Sequence, residues 1–349
     1  MLGRLVGQYT PRPGRRFGGE PPRYINRNGG PAESTAFGCV GKVNAGSAAF
    51  VNGTLAHSPI RDDMHLPSVA HLGSMVVTAA LALAEREDWS GEQLLRAIVG
   101  GYEMGAALGT AIHSSGKVNT HLRSSGLIGA FAAVSAAVCG SPPEEDTVVS
   151  AFCIAVNQAC GFNQWAWSGG SELPLQNGMA ARAGVFAYDL ALTGVRASET
   201  ILEGQAGFFE AVGVGLDGAD AFRRWLQRPM LGSGILEVKF KPMGCCNFTQ
   251  TSTAMALKLA KGSSIVADDI KQIVVTTTSP AIRYPGCDNS GVMKTVVHGK
   301  LSIQYGVCAA LVLRQLDETA WYPAGQADIT GLMTKCQLVA LPKFDEAFR

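Results

Sequence analysis

Residues 57–71, HSPIRDDMHLPSVAH, gather His57, His65 and His71 with Asp62 and Asp63 in a chain that holds six histidines in all. Imidazoles titrate near neutrality and carboxylates can orient or polarise them, so the set fits acid–base chemistry or cation binding. Pro59 and Pro67 deny the stretch a continuous helix. Its histidines do not follow the H-E-x-x-H spacing of a zinc helix, and no metal is expected. Two readings stay open: a solvated polar loop, or an acid–base loop running into a helix N-terminus that welcomes an anion.

The elements that must position this loop are mostly helical. Apolar runs predict helices over 73–88, 90–112, 124–140, 142–161 and 176–194, and Ser90 with Gln93 three residues on is a capping-box signature. Their many Ala and Gly positions imply helices packed at close approach. The texture changes near residue 235. ILEVKFKP, IKQIVVTTTS and CQLVALP alternate or run β-branched as strands do, while 249–262 and 300–316 look helical. The expected fold is therefore mainly α: a loose N-terminal arm over 1–30, a large all-helical domain over 31–235 and a smaller α+β domain over 236–349. A cleft between two such domains is where a ligand is expected.

Composition narrows the function. The 349 residues are 47% hydrophobic and 16% charged, enough for a large core. Twenty-nine Lys+Arg against 28 Asp+Glu leave a formal charge of +1, so no global field recruits nucleic acid or an anionic membrane. The nine cysteines form no C-x-x-C pair, and several lie in apolar runs, which favours a reducing compartment: the cytoplasm, with the mitochondrion left open. The Arg-, Gly- and Pro-rich start lacks a signal-peptide core, and the uncharged stretch 124–143 is diluted by Ser, Gly and Ala, as in a buried helix. No phosphate loop or dinucleotide fingerprint occurs.

The stretch SAAFVNGTLAHSPIRDDMHLPSVAHLGSMVVTAALALAE resembles the signature of the MmgE/PrpD family, which includes 2-methylcitrate dehydratase, cis-aconitate decarboxylase and iminodisuccinate epimerase. LLRAIVGGYEMGAALG, GLIGAFAAVSAAVCG, LPLQNGMAARAGVFAYDLALTG, VKFKPMGCCNFTQTSTAMAL and GKLSIQYGVCAALVL recur in that family's order. The resemblance implies a cofactor-independent, typically homodimeric enzyme built as a helical domain with a smaller α+β lid, acting on a small polycarboxylate. It places His71 on the histidine closing the family's Asp-Asp-Thr-His…His-Pro-Gly loop, Lys241 on the lysine of K-P-x-x-C-C, Tyr305 on the tyrosine of S-x-x-Y, and His121 within one position of a further family histidine.

The departures matter equally. Ile60 stands where decarboxylase-type members carry Asp, Met64 where they carry Thr, Leu173 for a lysine, Gln176 for a histidine, and Cys246 for the decarboxylase's lid histidine. The cavity implied is less cationic and more apolar, which argues against cis-aconitate decarboxylation. Both ends read as short of the family's usual extent. The catalytic candidates are His71 as base or acid, Tyr305 as donor to a developing oxygen, His121, and Cys246 as a proton donor. Lys241, Asp62, Asp63, His65 and Arg123 are the binding candidates, with the aspartates alternatively capping the next helix. Dehydration of a citrate-like hydroxy-polycarboxylate, 2-methylcitrate or one with an alkyl arm, is the expected chemistry. Epimerisation next to a carboxylate is the second reading, and a non-catalytic binding protein the third.

Overall fold

The computed structural model describes residues 23–114, 119–229, 232–291, 293–322 and 326–348. Among the described residues the chain is mostly helical with three two-stranded sheets, and it divides into two compact units. Most of the arm expected over 1–30 lies outside the described residues, and Arg23–Asn28 forms a short helix.

The first unit takes in residues up to Ser58, Asp62–Phe162 and Glu172–Phe240. Its main helices are α1 (Ala45–His57), α2 (Gly73–Glu87), α3 (Gly91–His113), α4 (Ser124–Gly140), α5 (Glu145–Val156), α6 (Glu172–Leu192) and α7 (Gly215–Leu226). Ser90 and Gln93 form the capping box at the start of α3, each side chain bonding the other's backbone N–H. α4 is buried at every position except Cys139, which is why it is apolar all round and has no polar face. One cluster packs α4 with α2, α3 and α7, and the other packs it with α1, α5 and α6. Among the described residues no helix is long and apolar enough to cross a membrane.

Helix α1 shows no amphipathic signature in the sequence. It is buried on nearly all sides, so the helical period of apolar residues is erased. Asn44 starts it by accepting the Ser47 N–H at 2.7 Å, and Gly53 and Gly178 let it cross α6 at backbone range. A Cβ on Gly178 would overlap Phe50 O and Thr54 Oγ1. Short strands complete the unit: β1 (Ser34–Thr35) with β2 (Lys42–Val43), and β3 (Asp63–His65) with β4 (Val238–Phe240), both antiparallel. The β4 segment, read with the second domain from its alternation, thus pairs inside the first unit.

The second unit comprises Pro59–Arg61, Asn163–Ser171 and Lys241–Arg349. It holds α8 (Asn247–Lys261), β5 (Ile273–Thr277), α9 (Val296–Leu301), α10 (Ile303–Leu313) and β6 (Cys336–Ala340), with β5 and β6 parallel from Ile273 opposite Cys336 to Thr277 opposite Ala340. The single helix expected over 300–316 is split at Ser302, whose extended backbone and hydroxyl cap α10 by accepting the Tyr305 N–H at 3.0 Å.

The Gly178 contact makes a testable demand on packing. Gly178→Ala is expected to lower unfolding free energy by about 1–3 kcal/mol in urea titrations, the usual cost of overpacking. Gly91→Ala, at a position with open space, stays within about 0.5 kcal/mol of the parent.

Candidate acid–base site

The loop after α1 folds back on itself. His65 and Ala70 exchange backbone hydrogen bonds of 2.9 and 3.3 Å, which closes a tight turn and returns His71 to the neighbourhood of Asp62 and Asp63. Two residues of α4 anchor the turn: the Ser124 hydroxyl donates to Ser68 O, and Ser125 Oγ accepts the His71 N–H at 3.1 Å.

Asp63 is the structural member of the acid pair. Its carboxylate accepts the Gly73 N–H at 3.0 and 3.2 Å, capping α2, and accepts the Tyr102 hydroxyl at 2.8 Å. Burial first, and then this carboxylate, hold the Tyr102 phenol far above its usual range. Of the two readings the sequence offered for Asp63, these contacts are those of helix capping.

Asp62 joins the two imidazoles. His57, the last residue of α1 and 1% exposed, places Nδ1 2.6 Å from Asp62 Oδ2. The Arg123 guanidinium places Nη2 2.7 Å from His57 Nε2. A guanidinium only donates, so His57 Nε2 accepts and its proton sits on Nδ1, donated to Asp62. The other Asp62 oxygen lies 3.4 Å from His71 Nδ1. His71 Nδ1 also stands 2.8 Å from the Asp63 carbonyl, an acceptor only, so it too carries a proton. In the neutral ring the basic lone pair is then on His71 Nε2. The two rings lie 4.7 Å apart between centroids.

Arg123 is buried at the N-cap of α4, and Nη1 donates to Leu173 O at 3.1 Å, Asn177 Oδ1 at 2.6 Å and Gln176 Oε1 at 3.3 Å. Asn177 continues to Ser74 at 2.6 Å, and Ser74 to His71 O at 2.9 Å. The guanidinium thus ties α6 to His57. Met64 and Leu173, the apolar replacements in this unit, are buried.

Ligand atoms of His57, Asp62 and His71 lie within 4.8 Å of one another, a separation open to a metal ion. The donor set fits one poorly. His57 already uses Nδ1 on Asp62 and Nε2 on Arg123, and a cation there would meet the guanidinium. The arrangement suits proton sharing.

The other candidates fall elsewhere. His65 is fully buried, with Nδ1 2.9 Å from Ser68 Oγ and its ring edge-on to Trp225, so it belongs to the core. His121 is exposed on a turn, and no described contact joins it to the imidazole pair. Tyr305, in the second unit, is fully buried and donates to Ala320 O at 2.9 Å. Lys241 and Cys246 are buried in the second unit. The sequence-based candidates left out His57, although it belongs to the 57–71 cluster, and Lys300, which donates from the core to Pro59 O at 2.7 Å and to Glu318 Oε1 at 2.5 Å.

Residues 22–217 match the MmgE/PrpD N-terminal domain and residues 243–349 the MmgE/PrpD C-terminal domain. The chain belongs to the MmgE/PrpD family. It is 33% identical over 175 residues to cis-aconitate decarboxylase of Aspergillus terreus, covering 48% of this chain and 35% of that protein. A cis-aconitate decarboxylase-like protein of Aspergillus oryzae is 30% identical over 172 residues, covering 47% and 35%. The matched segment spans about a third of the length of these family relatives.

Two measurements check the protonation pattern of this family member. Long-range proton–nitrogen NMR is expected to find His57 protonated on Nδ1 and not on Nε2, and a protonated Nε2 would contradict the Arg123 contact. Burial holds His113 down to about 4, with the Ser68 backbone opposing, and holds His65 below its ordinary value despite Glu237. Unfolded histidine titrates near 6.5, so between that pH and about 4 the unfolded chain binds more protons and stability falls as pH falls, by on the order of 3 kcal/mol from His113 alone. Denaturation across this window should show the loss, and His113→Gln should flatten it.

Proposed function

We propose that this chain is a cofactor-independent lyase that uses His71 Nε2 as a general base on a carbon next to a carboxylate. The observation that supports it most is the orientation of His71: Nδ1–H lies on the Asp63 carbonyl at 2.8 Å, with the Asp62 carboxylate 3.4 Å away. When Nε2 takes a proton, the imidazolium forms beside a fixed carboxylate that stabilises it, which is how a second-partner acid raises the efficiency of a histidine base. His57 and Arg123 hold that carboxylate in place.

The reaction proposed is dehydration of a citrate-like hydroxy-polycarboxylate, of the 2-methylcitrate or alkylcitrate class. His71 removes the proton, the C–H electron pair becomes the new C=C bond, and the C–O bond breaks to release the hydroxyl, which leaves as water after accepting a proton. A homodimer, supported by family membership, and a cytoplasmic or mitochondrial setting, supported by the scattered cysteines, belong to the same proposal. Decarboxylation is a second reading, favoured by the identity to the Aspergillus decarboxylases.

A proton NMR time course in deuterated buffer with citrate, 2-methylcitrate and cis-aconitate separates the readings. An alkene signal formed with loss of the hydroxyl establishes dehydration, carbon dioxide release establishes decarboxylation, and deuterium uptake without an alkene establishes epimerisation. His71→Ala is expected to lower the rate by about 10²–10⁴-fold, the contribution typical of a general base. Turnover that survives this substitution, or none in any substrate from folded protein, overturns the proposal.

A further inference from the structure

The second unit contains a pair of thiols that the acid–base reading does not use. Cys246 and Cys287 lie 41 positions apart in sequence, with sulfurs 3.7 Å apart, and both are buried, Cys246 at 8% exposure and Cys287 at 0%. The adjacent pair Cys245 and Cys246, the obvious couple in the sequence, is divided by the fold: Cys245 turns to the Gln250 amide at 3.0 Å.

Cys246 is the N-cap of α8, a helix of 15 residues. The Cys287 S–H donates to its sulfur at 3.7 Å, and the charge of Lys241 also acts on it. These favour a thiolate at Cys246 against the opposing effect of burial, and the same contact holds the Cys287 proton in place, well above the usual thiol range. The two sulfurs are thus differentiated: one nucleophile, one proton-bearing partner. Cys287 sits in the loop between Ser279–Arg283 and α9, where a side chain can swing without breaking a helix.

We propose that Cys246 and Cys287 form a peroxide-reactive dithiol, with Cys246 as the attacking sulfur and Cys287 as the resolving one. In the first step the Cys246 thiolate attacks one oxygen of hydrogen peroxide, the O–O bond breaks, and the sulfur becomes a sulfenic acid while the departing hydroxide takes a proton and leaves as water. In the second, the Cys287 sulfur attacks the sulfenic sulfur, the S–O bond breaks, and the thiol proton leaves with the hydroxide as a second water. Two thiols lose two electrons and two protons in sum, and one peroxide is reduced to two waters. The sulfurs must close from 3.7 Å to the about 2.05 Å of a disulfide, which a side-chain rotation in the Cys287 loop supplies. The product removes a negative charge from beside Lys241 and ties the start of α8 to that loop.

Two other sites in the chain serve as internal references. Cys160 is exposed. Cys308 and Cys336 form a second buried couple, in which the Cys308 contact holds the Cys336 thiol below its usual range against burial and the charge of Asp288. The full reduced chain is treated with hydrogen peroxide at neutral pH, quenched by alkylation and mapped by peptide mass spectrometry. The expected result is a Cys246–Cys287 cross-linked peptide appearing about tenfold faster than oxidation of Cys160. In Cys287→Ser a sulfenic-acid probe such as dimedone should label Cys246 with no cross-link, and in Cys246→Ser the Cys287 thiol should remain reduced at the same dose. Oxidation of Cys160 ahead of Cys246, or a cross-link mapping to Cys308 and Cys336 in its place, overturns the proposal. The mapping on the unaltered chain decides the matter even where a serine variant does not fold.

Discussion

A carboxylate held between two buried or half-buried imidazoles, with a buried guanidinium beyond one of them, is the interaction on which the loop architecture of the first unit depends. Asp62 bonds His57 and approaches His71, and Arg123 closes the chain from the side of His57. Charges taken from water are costly unless they meet partners of good geometry. Here the partners come from four elements: the end of α1, the loop before α2, the N-terminus of α4 and the first turn of α6. Each helix must arrive at the right place for the network to be satisfied, so the network and the packing specify one another.

The packing that delivers those ends is a close fit of small side chains. Gly53 with Gly178 and Gly184 with Ala133 bring α1, α4 and α6 near enough that an added methyl would overlap backbone or neighbouring atoms. Interiors at this density transmit position with little slack. His57 and Arg123, at helix ends, therefore inherit fixed positions from the core, and His71 inherits its orientation from Asp63, which is itself fixed by capping α2 and by Tyr102. Rigid elements hold the acid–base groups, and the loop between them is short and tied at Ser68, His71 and Gly73.

The second unit organises its polar groups differently. Tyr305, Lys300 and the Cys246–Cys287 pair are all buried there. Tyr305 and Lys300 satisfy their donors on backbone carbonyls, and Lys300 also on Glu318, so both are committed to holding the fold. The thiols of Cys246 and Cys287 are partnered by each other.

Much of this was legible in the sequence. Apolar runs located α2, α3, α4 and α8, and a capping box marked the start of α3, because periodicity and end signals are local properties, and shared motifs over most of the chain pointed to the family. The loop at 57–71 was legible as chemistry because its residue types are rare and concentrated there. α1 was not legible, since burial on all sides leaves a helix without a polar face, and neither was the pairing of β3 with β4, which joins residues far apart in the chain. The roles within the site lay beyond sequence altogether. Asp62 and Asp63 are neighbours of the same type, and only the fold sends one to the imidazoles and the other to a helix cap; likewise only the fold turns Tyr305 into a core hydrogen-bonder and gives Cys246 a partner at Cys287. Residue type determines which chemistry is available, but partner, burial and orientation are products of long-range packing, and those decided what each group does.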